Sequence, residues 1–111
     1  AFGMPGAQFR FGMLTVPTTG LTFEVIDFKG VDSKAVRGNI QDSGSTRIQL
    51  RVRDVDEAVA ALAKVGGEVV STGGHPLVIP AGTGQIKVAI VREPNNLFLV
   101  LIGPAQAAAV R

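Results

Sequence analysis

Few side chains in this sequence have the type and spacing that catalysis or metal binding requires. The chain has a single histidine, His75 in GGHPLVIP, and no cysteine. An imidazole suits a general base or a metal ligand because its pKa lies near neutrality. No carboxylate or nucleophile stands beside His75 in the sequence, however, and a lone loop histidine between glycine and proline is more often a surface residue. We therefore expect no catalytic role for His75.

The most regular charged pattern lies in RIQLRVRD, near the middle of the chain. Its polar positions are Arg47, Gln49, Arg51 and Arg53, and they alternate with Ile48, Leu50 and Val52. Strict alternation predicts a β-strand with one basic face and one apolar face. Because charged residues on the open side of a strand are common, each arginine by itself is interpreted first as a solvated residue.

A helix is predicted directly after this strand. Asp54 is suited to cap its N-terminus, with Glu57 as the capping-box partner three residues later. In VDEAVAALAKV the apolar residues Val55, Ala58, Val59 and Leu62 recur at helical spacing, which predicts one buried face. The pair Gly66-Gly67 then predicts the end of the helix, with a glycine in the left-handed conformation.

The remaining chain reads mainly as strands and turns. Residues 7–14 and 21–28 alternate and predict a hairpin, residues 29–45 predict a surface connector, and EVVST, IKVAIVRE and LFLVLI predict three further strands. We expect GGHPLVIPAGTGQ to form a long loop and the tail AQAAAVR to form a frayed or helical end. The run Leu97 to Ile102 has no polar side, so both faces of that strand should lie against something.

Composition narrows the functional classes. The chain of 111 residues is 46% hydrophobic and 18% charged with a net charge of +2, which indicates a folded domain. It has no Trp or Tyr and no concentrated basic region, so we predict no nucleic-acid partner. We also predict no membrane span and no signal peptide, and a cytoplasmic location by default. The glycines of PAGTGQ fit neither a P-loop nor a dinucleotide fingerprint, and no Ser-His-Asp spacing is present.

The order strand, helix, strand, strand, strand from Thr46 onward resembles the βαβββ module of the vicinal oxygen chelate superfamily. That superfamily includes glyoxalases, bleomycin-resistance proteins and extradiol dioxygenases. The matching motifs are VRDVDEAV, GGEVV and EPNNLFLVL. The resemblance implies an α+β fold, a curved mixed β-sheet of βαβββ modules with one main helix on the convex face. It divides the chain into a partial first module at residues 1–45, a complete module at 46–103 and a C-terminal tail at 104–111.

The resemblance also implies where metal ligands would lie. The first-strand ligand position of the complete module falls on Arg47, and the last-strand position falls on Val100. Neither side chain can donate a lone pair to a metal. The equivalent last-strand glutamate of the partial module is present as Glu24, but its first-strand partner would precede Ala1. We therefore predict no cofactor, and a divalent metal only if another segment or chain completes a site with Glu24.

The function implied by the resemblance is ligand binding or glyoxalase-like chemistry, and we expect binding in the manner of bleomycin-resistance proteins. The ligand would be a small organic molecule, with an anionic group as one option, in a concave pocket. The predicted pocket residues are Glu24, Arg47, Gln49, Arg51, Phe98 and Val100. An alternative interpretation of the arginines is a solvated face, or an ion pair between Arg47 and Glu24 where a metal would otherwise lie.

Two other functions stay open from the sequence, so whether the chain is an enzyme is undecided. It could be part of a metal-dependent lyase, isomerase or dioxygenase, or a non-catalytic remnant or scaffold. The unpaired edge and uncovered face of the first half-sheet predict a partner, either a second copy in a homodimer or a missing N-terminal segment. The start at Ala1 without an initiator Met favours a trimmed fragment of a longer protein.

Overall fold

The structure is a computed structural model that describes residues 2–106. The chain divides into two compact units, Ala1–Lys34 and Ala35–Arg111, and each is described by itself below. The tail predicted to be frayed or helical includes residues 107–111, which lie outside the described residues. No helix of the described residues is long and apolar enough to cross a membrane.

The first unit is a β-hairpin. Strands β1 (Gln8–Thr15) and β2 (Thr22–Lys29) pair antiparallel, from Gln8 opposite Lys29 to Thr15 opposite Thr22. The connecting turn closes with a hydrogen bond in which Val16 N donates to Leu21 O at 2.8 Å. The predicted hairpin is confirmed, with each strand displaced by one residue from its predicted bounds.

The two faces of this hairpin differ in chemistry. One face carries Phe9, Phe11, Met13, Glu24, Ile26 and Phe28, as the register of the paired strands shows. Phe2 packs edge-on against Phe9 and Phe28, with ring centroids 5.3 and 5.1 Å apart. On the other face Asp27 Oδ2 accepts a hydrogen bond from Arg10 Nη2 at 3.1 Å and forms an ion pair with Lys29 Nζ, also at 3.1 Å. Glu24 is therefore an exposed carboxylate on the aromatic face.

The second unit contains a mixed sheet and one α-helix. In chain order its elements are β3 (Arg47–Arg51), α1 (Val55–Ala63), β4 (Glu68–Val69), a 3-10 turn (Thr72–Gly74), β5 (Leu77–Ala81), β6 (Gly84–Arg92) and β7 (Phe98–Pro104). The sheet runs β3-β7-β6, with β3 and β7 parallel and β6 and β7 antiparallel. Both β4 and β5 pair antiparallel with β6. The mixed sheet with its helix confirms the predicted α+β fold class.

The prediction of a long loop over GGHPLVIPAGTGQ is wrong. This segment contains the 3-10 turn and strand β5, which pairs with the first half of β6. Pro80 lies in β5 and lacks a donor, which an edge strand tolerates because its outer side needs no partner. β4 pairs with the last part of β6, so β4 and β5 follow one another along the same edge. Together they occupy the place of one strand in a βαβββ order.

The core lies between the helix and one face of the sheet. Its buried residues are Val55, Ala89, Val91 and Leu101, with Leu50, Val52, Ala58, Val59, Leu62, Val69 and Leu99 packed around them. The alternation predicted for RIQLRVRD is thus confirmed at Leu50 and Val52, which lie on the helix side. In β7 the helix-side residues are Leu99 and Leu101, so Val100 points to the opposite face.

Both predicted helix ends are confirmed. Asp54 caps the N-terminus, because its Oδ1 accepts a hydrogen bond from Glu57 N at 3.1 Å. Gly66 has a φ of +94°, the left-handed conformation that glycine adopts without a steric penalty. Gly67 then brings the chain close to the sheet, where a Cβ would lie 2.9 Å from a side-chain carbon of Val91. These two positions fix where the chain leaves the helix for β4.

Candidate functional site

The face of the second unit's sheet opposite the helix, here called the open face, carries the predicted pocket positions of this unit. Residues in register across paired strands point to the same side, so the face can be read directly from the pairing. Three rows of residues cross β3, β7 and β6 in that order on this face. They are Arg47, Phe98 and Arg92; Gln49, Val100 and Ile90; and Arg51, Ile102 and Val88. Leu77, Ile79 and Ile86 continue it along β5 and β6. The open face therefore has an apolar floor and a polar margin along β3.

The polar margin is exposed and electrostatically uncompensated. Arg47, Gln49 and Arg51 are all exposed. The ion pairs within the described part of this unit join Arg37 to Glu68 and Lys87 to Asp56. Neither Arg47 nor Arg51 therefore has a carboxylate partner in residues 35–106. Their guanidinium groups remain free to pair with an anion from outside the unit.

The floor is better shielded than the margin. Val100 is only 8% exposed, among Ile90, Ile102 and Gln49 in the adjacent positions. Phe98 is 1% exposed, and the Arg92 guanidinium lies over its ring with 5.0 Å between its carbon and the ring centroid. The contact of Phe98 with the body of a ligand stays a prediction, and in this structure the ring is buried beneath the Arg92 guanidinium.

Arg92 is a residue of the open face that the sequence analysis missed. Its Nη1 donates to Asn96 Oδ1 at 3.0 Å, and its Nε is buried without a partner among the described residues. Stacking on an aromatic ring is favourable for a guanidinium, and it fixes the orientation of this side chain. The sequence could have placed Arg92 on this face, because it follows Val88 and Ile90 at every second position of the same strand.

A depression of about 330 Å³ lies at one end of the open face. Arg51, Ile86, Ile102 and Pro104 line it, together with Val52 and Gly103. It combines an unpaired cation with aliphatic side chains, which is the chemistry that an organic anion requires. Pockets that bind small molecules begin at about this volume.

At the other end, the connector of residues 36–46 contacts two strands of the sheet. Arg37 Nη2 donates to Glu68 Oε2 at 3.1 Å, and Phe98 N donates to Thr46 O at 3.2 Å. Glu68 lies on the open face, because it is in register with Arg92. One end of the connector therefore lies beside β4, and its other end lies beside the start of β7. A cleft of about 390 Å³ lies between the connector and the β6–β7 turn.

The residues at the implied metal positions do not fit a metal. The Arg47 guanidinium is a donor only and Val100 has no lone pair, so the neighbouring group on β3 that could act as a ligand is the Gln49 amide oxygen. Within residues 2–106, no three His, Cys, Asp or Glu side chains are grouped so as to hold an ion. Glu24 belongs to the first unit. Its pairing with Arg47 stays a prediction.

The His75 ring lies close to the neighbouring residues of its own loop. The ring Nδ1 lies 2.8 Å from Pro76 O, and the ring Nε2 lies 2.8 Å from where a Cβ on Gly73 would be. Gly73 has a φ of +80°, so glycine is required there both for the backbone and for the ring. His75 thus packs against its own turn and remains exposed.

Comparison with known proteins identifies the fold. The structure is similar to the crystal structure of a glyoxalase family protein from Bacillus cereus, with a TM-score of 0.67 and 20% sequence identity. The chain has a glyoxalase-like fold. The similarity covers 86% of this chain and 61% of the Bacillus cereus protein, so the glyoxalase-like chain spans less than two thirds of that protein's length. No protein-family model and no curated protein matches the sequence.

Proposed function

We propose that the open face binds a small organic anion without the help of a metal. The observation that supports this proposal is the depression at Arg51, where an exposed and unpaired guanidinium adjoins Ile86 and Ile102. This matches the binding role that the resemblance to bleomycin-resistance proteins implies. The alternative, a metal-dependent enzyme, requires donors beyond those that the second unit provides.

Each part of the proposed ligand has a counterpart in the depression. A carboxylate or phosphate can form two parallel hydrogen bonds with the Arg51 guanidinium. The hydrocarbon body would cover Ile86 and Ile102, and burial of apolar surface contributes roughly 25 cal/mol per Å². Arg47 and Gln49 lie along the same margin of β3 and would attract or orient the ligand. A second copy of the chain, or a preceding segment, is the proposed cover for the strand edges that are left unpaired.

A matched pair of probes tests this proposal. Benzoate and benzamide have the same ring, but only benzoate is charged, so an arginine site should prefer benzoate. In ¹⁵N-NMR titrations we expect saturable shifts at Arg51 and Ile102 with benzoate. The Arg51→Gln variant should weaken that binding roughly tenfold, in line with one charged hydrogen-bond pair. Arg53→Gln is the matched control, because Arg53 is exposed and lies outside the residues that line the depression.

Three outcomes would contradict the proposal. Benzamide could bind with the same affinity as benzoate, which would exclude recognition of the negative charge. Arg53→Gln could weaken binding as much as Arg51→Gln, which would indicate general attraction to a basic protein. Finally, neither probe could move any resonance of the open face.

A further inference from the structure

The cleft between the connector and the β6–β7 turn is a second candidate site, and it differs in chemistry from the depression at Arg51. Its volume is about 390 Å³, and it lies wholly within the second unit. One wall is formed by Asn95, Asn96 and Leu97 of the turn, and the other by residues 36, 38 and 42–46 of the connector. Because no lining residue is shared with the depression, the two can be tested separately.

Two charged neighbours fix the amide groups of the turn wall. Arg92 Nη1 donates to Asn96 Oδ1 at 3.0 Å, and Asn95 Nδ2 donates to Glu93 Oε2 at 3.1 Å. A guanidinium can only donate and an ionised carboxylate can only accept, so the orientation of both amides is determined. Asn96 keeps both N–H donors of its NH₂ group, and Asn95 keeps its carbonyl oxygen and one N–H. The two amides that line this wall can therefore both donate and accept further hydrogen bonds.

The connector wall adds hydroxyl groups. Ser43, Ser45 and Thr46 line the cleft, and Ser45 Oγ is buried with no hydrogen-bond partner among the described residues. Asp42 Oδ2 accepts from Asn39 N at 2.7 Å, which holds this part of the connector in its turn.

The charge of the lining selects the ligand class. No Lys, Arg or His among residues 2–106 lines this cleft, and Asp42 contributes a carboxylate, so an anion would be repelled. Hydroxyl groups both donate and accept, as the two asparagines and the serines together require. We propose that this cleft binds a small uncharged ligand with adjacent hydroxyl groups, such as a monosaccharide or a cyclitol. The apolar side chain of Leu97 would contact the C–H surface of its ring.

Titration with myo-inositol and D-glucose, followed by ¹⁵N-NMR, tests the proposal. We expect saturable shifts at the amides of residues 43–46 and 95–97 with at least one of the two probes. Sodium acetate should leave these amides unshifted, because it carries the excluded charge. The proposal is overturned if neither polyol shifts them, or if acetate shifts them as strongly as a polyol does. Either result leaves the anion site at Arg51 unaffected, since its reporters are different residues.

Asn96→Asp tests the amide donor of the turn wall most directly. Aspartate tolerates the positive φ of +68° at this position and can still accept from Arg92. It replaces the free NH₂ donor by an acceptor, so polyol binding should weaken roughly three- to tenfold, the effect of one neutral hydrogen bond. Gln85→Glu is the matched control, because it makes the same charge change at the far end of β6.

Ser43→Ala gives an independent readout. Ser43 lines the cleft and is exposed, so its removal should leave thermal stability unchanged while it weakens polyol binding. The proposed site is refuted if Asn96→Asp and Ser43→Ala both bind the polyol as tightly as the original chain. Equal weakening by Gln85→Glu would also refute it, since the effect would then come from net charge.

Discussion

Val100 occupies the position where the family resemblance implies a metal-binding glutamate, and Val100→Glu tests whether this part of the sheet can hold a charged carboxylate. The side chain is 8% exposed and lies on the floor of the open face. Its register partner Gln49 is on the same face but is exposed. The two positions therefore compare the same carboxylate in an apolar floor and at a solvated margin.

The expected magnitude follows from burial. Burial disfavours the charged form of a carboxyl, and full burial raises its pKa by up to about 3–5 units. For a site that keeps some exposure we expect a rise of about 2 units above the usual glutamate value of about 4.3. At about 1.4 kcal/mol per unit, Val100→Glu should lose about 3 kcal/mol of stability between acidic and alkaline pH. Gln49→Glu should change stability by no more than about 0.5 kcal/mol, as surface substitutions usually do.

The sign of the pH dependence makes the prediction specific. With a raised pKa, folded Val100→Glu binds more protons than the unfolded chain, so its stability falls as pH rises through that window and recovers on acidification. Urea denaturation at pH 4 and pH 8 measures the difference, with Gln49→Glu as the control. The reasoning is refuted if Val100→Glu matches Gln49→Glu at both pH values. That result would mean that the new carboxylate reaches water or Arg51 and is not held in the floor.

Two further predictions concern a close contact and an ion pair. Gly103→Ala would place a Cβ 2.7 Å from the Val52 carbonyl oxygen, so it should lower the free energy of unfolding by about 1–3 kcal/mol in urea melts. Gly84→Ala, in open space, should be neutral or slightly stabilising, and equal losses would contradict the steric explanation. Hydrogen bonding to Lys29 is the main cause that holds the pKa of Asp27 below its ordinary 3.8. The ion pair therefore stabilises the folded state fully above the unfolded pKa of 3.8, and this stabilisation is lost as the pH falls through the lowered pKa of folded Asp27. In ¹³C-NMR titrations Lys29→Met should raise the Asp27 pKa toward 3.8, and an unchanged value would exclude the pairing.

The sequence correctly predicted the strand and helix features that depend on residues close together in the chain. The alternation around Leu50 and the cap at Asp54 depend on neighbouring residues, and both are found where they were expected. Strand β5 (Leu77–Ala81) was missed because LVIPA has no polar alternation and contains a proline. Its strand conformation comes from pairing with β6, in which Ile79 lies opposite Ile86. Such a pairing is set by tertiary contacts, which a short apolar window does not reveal.

The same distinction explains which site residues the sequence could locate. Strand parity placed Arg47, Gln49 and Val100 on one face, because period two holds along any regular strand. The alternation of a strand shows which face a side chain points to, but it does not show how far that side chain is buried. Phe98 was therefore expected to contact a ligand, although its ring lies buried under Arg92. The role of Arg92 depends on two contacts that meet only in the fold, the Phe98 ring and the amide of the following turn. One guanidinium thus covers the Phe98 ring on the open face and orients the Asn96 amide that lines the neighbouring cleft.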